Sequence, residues 1–171
     1  MILLQRGPIP SGRSRLSPEG AQPPGQLRLL RSQISLQDPM ILVTTSRKAD
    51  PLVRRTGRDI AFAAGGTYLT RGKGGLSRPP FCDGTVLILC RDGGGIRMQL
   101  LEGLQELAVL RFTSVRVEPR PGPIRRGLFT GNPSLFSCLS PHLPLSCDED
   151  RPDSLVLDGV QGRRISLAVG S

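Results

Sequence analysis

Four cysteines and one histidine are the residues of this chain best suited to ligate a metal or to support a nucleophile. Seven residues separate Cys82 from Cys90, 47 separate Cys90 from Cys138, and eight separate Cys138 from Cys147. Structural zinc sites prefer roughly two to four residues between paired cysteines. His142 lies in "CLSPHLPLSC", four residues after Cys138, but Pro141 and Pro144 deny the two a common helical face. No metal and no cofactor are expected. The chain starts with no secretory h-region, so the cysteines are expected as free, partly buried thiols rather than disulfides. Any Ser–His or Cys–His pair would have to use His142, inside a Pro-rich stretch that offers no rigid base–nucleophile geometry. The expectation is a non-enzymatic protein.

Short motifs lead to the same place. "PFCDGT" resembles the CDGSH-type iron–sulfur domains, aligned on Pro80, Cys82, Asp83, Gly84 and Thr85. That resemblance implies a [2Fe–2S] cluster on four donors. The other three ligand positions fall on Arg71, Lys73 and Val86, so Cys82 stands alone and no cluster is expected. "GGTYLTRGKGG" departs from a phosphate loop at Thr67 and Gly74. "NPS" at Asn132 is no glycosylation acceptor, because its middle residue is proline. "RLLRS", ending at Ser32, and "RRIS", ending at Ser166, have the form of basophilic kinase substrates, where phosphate would reverse the local charge.

The arginines carry the strongest signal. The chain holds 23 Lys and Arg against 14 Asp and Glu, a net charge of +9. The excess lies wholly in residues 1–80, whereas residues 81–171 are balanced. Arg47, Lys48, Arg54, Arg55 and Arg58 form the densest cluster, and Arg71 and Lys73 follow among glycines. Such a stretch suits phosphates or an acidic protein surface. Single-strand readers also use aromatic platforms, and only Tyr68 is at hand. No recognised nucleic-acid module appears.

The elements that would position these residues are mainly β with much irregular structure. Residues 1–38 read as a disordered, basic Pro/Gly/Ser-rich tail, with a short helix suggested by Leu27, Leu30 and Ile34. Residues 39–118 read as a small β-leaning region. In it "PMILVTTS" is a strand, "RKADPLVRRTGRD" a basic connector broken by Pro51, and "IAFAAGGTYLTRGKGG" a further strand with turns. Val86 to Cys90, "RDGGG" and "IRMQL" form a hairpin with its glycine turn. A helix from Arg97 to Leu110 competes with it, although Gly103 weakens that helix. Residues 119–153 read as a Pro/Ser-rich loop. Residues 154–171 form a second hairpin, "SLVLD" and "RISLAV" around "GVQG". Two β-hairpins and at most one or two short helices are therefore expected. With no Trp, one Tyr and five Phe, the core is expected to be mostly leucine.

No stretch reaches the apolar length of a membrane span. The leading functional expectation is a small regulatory or interaction protein whose basic half meets an acidic partner. The alternative is non-specific RNA binding through the Arg-rich N-terminal half. A third reading is a reading-frame product with no selected activity, because Arg, Gly and Pro share GC-rich codons. A nuclear or cytoplasmic location is expected. The arginine bias of the first residues keeps a mitochondrial alternative, against the prolines that break its helix.

Overall fold

The computed structural model describes residues 40–71, 75–77 and 79–170. The tail over residues 1–38 and its suggested helix lie outside the described residues. Among the described residues the protein is mainly β, with two helices and a curled nine-stranded sheet in the order β2-β1-β3-β4-β5-β9-β8-β6-β7.

β1 (Ile41–Thr45) is buried along its whole length, as suits an apolar, β-branched run with neighbours on both sides. It runs parallel to β2 (Thr67–Tyr68) and to β3 (Thr85–Asp92). The connector expected after it is instead a helix, α1 (Pro51–Ala63). Pro51 opens this helix rather than breaking it. It sits at the first turn, where a missing N–H costs nothing, and the Asp50 carboxylate accepts the Val53 N–H at 2.8 Å as the N-cap. Val53, Thr56, Gly57, Ile60 and Ala61 then recur at helical spacing and are buried. Arg54, Arg55 and Arg58 occupy the opposite, exposed face. The strand expected over "IAFA" is therefore the last turn of α1, and only Thr67 and Tyr68 remain extended.

β3 and β4 (Gly95–Glu102) form the expected hairpin, with Gly93 and Gly94 in its two-residue turn. The competing helix from Arg97 does not form. Gly103 and Leu104 both take positive φ and turn the chain back into β5 (Gln105–Pro119), which pairs with β4. β8 (Ser154–Asp158) and β9 (Arg163–Val169) form the C-terminal hairpin, and β9 joins the same sheet against β5. There are thus three hairpins among the described residues, not two.

Residues 119–153 are no simple loop. They hold β6 (Leu128–Thr130), α2 (Pro133–Leu139) and β7 (Leu145–Cys147), with β7 parallel to β6. α2 repeats the start of α1: Asn132 caps it by accepting the Leu135 N–H at 3.0 Å, and Pro133 follows. Each edge of the sheet is therefore a parallel strand–helix–strand unit opened by an Asx-Pro pair.

One core joins the sheet's two ends. Val53 and Ile60 of α1 belong to a cluster with Val43, Leu87 and Leu89 from one end and Leu155, Leu157, Ile165 and Leu167 from the other. The sheet curls around α1 to bring them together. Phe112 is the one aromatic among the largest fully buried side chains, so the core is mostly aliphatic as expected. A smaller cluster (Leu42, Phe81, Val86, Ile88 and Leu101) covers the other face of the first strands.

Candidate nucleic-acid interface

Packing α1 inside the curl leaves its arginine face over a cleft of about 530 Å³. Pro51, Arg54, Arg55 and Arg58 form one wall, and Val160, Gln161 and Arg163 from the β8–β9 turn form the other. Asp59 lies at its floor, with a side chain only 1 % exposed. Its carboxylate accepts the Val160 N–H at 3.0 Å and the Arg163 Nη2 at 3.2 and 3.3 Å. Gln161 Oε1 accepts from Arg163 Nη1 at 3.2 Å. Gly159 makes this clamp feasible, because a Cβ there would stand 2.7 Å from the Asp59 carboxyl carbon.

The charge of the cleft is unbalanced. Four guanidinium groups face it against one carboxylate, and that carboxylate is held by Arg163 and a backbone N–H. Among the described residues no carboxylate pairs with Arg54, Arg55 or Arg58. Arg58 instead lies over the Tyr68 ring, 5.5 Å from its centroid. That ring packs on α1 at Gly57, where a Cβ would meet it at 3.0 Å, and its hydroxyl bonds Thr45 Oγ1 at 3.2 Å. Tyr68 is thus built into the scaffold that holds Arg58.

Of the residues singled out in the sequence, the structure brings Arg54, Arg55 and Arg58 together on one helix face. Arg47 and Lys48 lie exposed in the turn that joins β1 to α1. Arg71 is half-buried beyond β2 and donates from Nε and Nη2 to the Thr45 carbonyl at 3.2 and 3.0 Å. Lys73 and Ser32 lie outside the described residues. Ser166 is far from this cluster in the chain, half-buried in mid-β9 and flanked by Arg116 of β5 and Val156 of β8. Asp59, Gln161 and Arg163 are polar members of the cleft that sequence reasoning missed. "RRIS" was legible only as a kinase-like motif, because nothing local says that it meets α1.

None of the four cysteines lines this cleft. Cys82, Cys90 and Cys138 are half-buried and Cys147 is exposed, all of them free. Cys90 Sγ accepts from Arg97 Nε at 3.3 Å, and this bond holds the Arg97 guanidinium above its ordinary pKa. Burial, then the adjacent Asp83 carboxylate, push the Cys82 thiol up. Among the described residues no His, Cys, Asp and Glu group could hold a metal ion, and no helix is long and apolar enough to cross a membrane.

The fold and its cleft define a mixed-sheet protein with a strongly basic surface recess. No family model and no curated protein matches the chain. Solved structures do. Mil, an archaeal Imp4-like protein, is similar at 20 % sequence identity and a TM-score of 0.52, over 75 % of this chain and 97 % of that one. At that identity the likeness is one of fold. A protein from Aeropyrum pernix K1, described as a probable ribosomal biogenesis protein, matches at 17 % identity and a TM-score of 0.47, over 78 % of this chain and 98 % of that one.

Proposed function

We propose that the chain is a non-enzymatic RNA-binding protein that holds the RNA backbone in the cleft between α1 and the β8–β9 turn. The observation that carries this reading is the charge of Arg54, Arg55 and Arg58 beside Arg163; no carboxylate among the described residues pairs with the first three. Guanidinium groups suit phosphate oxygens through their planar fork of donors, and each phosphate neutralised releases condensed counterions. Tyr68 is occupied by Arg58 and Gly57. Among the described residues no free aromatic platform lines the cleft, and the contact is to backbone rather than to base edges. The setting proposed is the nucleus or cytoplasm, and the reading rests on the cleft.

The test is filter binding of the purified chain to single-stranded RNA at two salt concentrations. The expected result is a complex that weakens by roughly tenfold or more between about 50 and 200 mM salt, as for a protein neutralising about three phosphates. Absence of any salt-sensitive complex would overturn the reading. Capture of an acidic protein that survives nuclease treatment would return the same surface to the acidic-partner expectation.

A further inference from the structure

On the other side of Arg54 lies a smaller recess of about 90 Å³. Its walls are Thr45, Ser46, Arg47, Arg54, Thr70 and Arg71, each of which carries a hydroxyl or a guanidinium. The recess sits outside the carboxyl end of β1. From β1 the chain passes through α1 to β2 on one side, then crosses to β3 on the other, and both strands are parallel to β1. In open sheets built this way, the crevice beyond the strand ends at such a reversal is where ligands are received.

The recess is held in shape before any ligand arrives. Ser46 N–H bonds the Leu89 carbonyl at 2.8 Å, and Arg71 is clamped to the Thr45 carbonyl through Nε and Nη2. The Arg71 Nη1 has no protein partner among the described residues. Burial, then the charge of Arg47, lower the Arg71 pKa, so an anion between the two would offset a repulsion already present.

We propose that this recess is a phosphate subsite, in which Arg71 and Arg54, with the hydroxyls of Thr70 and Ser46, close on one phosphate group. The proposal deepens the RNA reading and rests on it for the source of the phosphate. Arg54 lines both the recess and the cleft, so one strand can pass from the first to the second.

The full chain, labelled with ¹⁵N, is titrated with inorganic phosphate, and the arginine Nε–Hε signals are followed. Chloride at matched ionic strength is the control. A saturable shift of the Arg71 signal with phosphate alone is expected. In parallel, RNA affinity is measured for Arg71→Lys, which keeps the charge and loses the fork. It should fall about fivefold or more, as for loss of one charge-assisted hydrogen bond from Nη1 and of the Thr45 clamp that aims it. Oligomers with a 5′-phosphate and a 5′-hydroxyl distinguish a terminal phosphate from an internal phosphodiester. If phosphate leaves Arg71 unmoved and Arg71→Lys binds RNA like the parent, the subsite is overturned while the RNA reading stands. If phosphate shifts Arg71 but no RNA complex forms, the subsite stands and the RNA reading falls. The titration uses the unaltered chain, so a poorly folding variant does not decide the matter.

Discussion

The Asp59 carboxylate and the Arg163 guanidinium meet at 3.2 Å although they lie 104 positions apart in the chain. Asp59 is on α1 and Arg163 opens β9, so this pair ties the helix to the C-terminal hairpin. A buried ion pair adds little over an apolar pair of the same shape, but removing one partner strands the other charge. Asp59→Ala is therefore expected to lower stability by about 3–5 kcal/mol. Asp59→Asn should cost less, because its amide oxygen still accepts the Val160 N–H. Urea unfolding of the two variants checks this. A loss below about 1 kcal/mol for Asp59→Ala, the scale of an exposed ion pair, would show that the clamp is not an anchor.

Thr56 faces inward from α1 at 1 % exposure, and its hydroxyl has no hydrogen-bond partner among the described residues. An unsatisfied buried hydroxyl costs free energy. Thr56→Val keeps the shape and removes the oxygen, at a small cost in helix propensity. It is expected to raise stability by about 1 kcal/mol and to leave RNA affinity unchanged. A thermal melt and a binding isotherm read the two halves of this expectation; a lowered melting temperature refutes it.

Replacing Arg54, Arg55 and Arg58 together by Gln should leave the fold intact, since all three side chains are exposed. The slope of log affinity against log salt should become shallower. On a single strand the change is about 0.7 for each phosphate that the variant no longer neutralises, up to about 2 in all. Circular dichroism checks the fold and filter binding gives the slope. An unchanged slope would move the RNA-binding surface away from α1.

Cys82 has a pKa above the ordinary thiol value, through burial and through Asp83. The thiolate is the reactive form, so at neutral pH Cys82 should alkylate slowly. Its rate should climb with pH through a midpoint above about 8.5, the usual thiol value. Mass spectrometry of iodoacetamide-treated protein across pH follows each cysteine separately. Asp83→Asn removes the adjacent carboxylate and should move the midpoint downward.

The strands were legible where the pattern was local. The continuous apolar runs of β1 and β3, the alternation of β4 and the flanks of the β8–β9 turn each carry their own signal. Helix α1 was hidden by residues read for the wrong property. Pro51 counted as a breaker, though an Asp-Pro pair is also a helix start, and the three arginines counted as a charge cluster rather than as an exposed face. Val53 and Ile60, seven apart, held the missing clue. Asn132-Pro133 repeats the case in α2. The second half of β5 was legible in "SVRVE"; its first half was obscured by register shifts opposite Leu100/Leu101 of β4 and at Phe112/Ser114, which interrupt the alternation. Of the cleft, the α1 wall was visible as composition. The Arg163 wall was not, because only the closing of the sheet around α1 brings that residue across.

The two outermost strands have a bearing on how the chain behaves at high concentration. A nine-stranded sheet would ordinarily offer two long rows of unpaired backbone donors and acceptors, ready to template a neighbouring molecule. Among the described residues the outermost strands are β2, two residues long, and β7, three. Each follows directly on the helix that covers its neighbour, and neither is long enough to seed an extended intermolecular ladder. An aliphatic core and a broad sheet are thus combined with ends too short to polymerise, and resistance to fibril growth follows from where the two helices interrupt the strands.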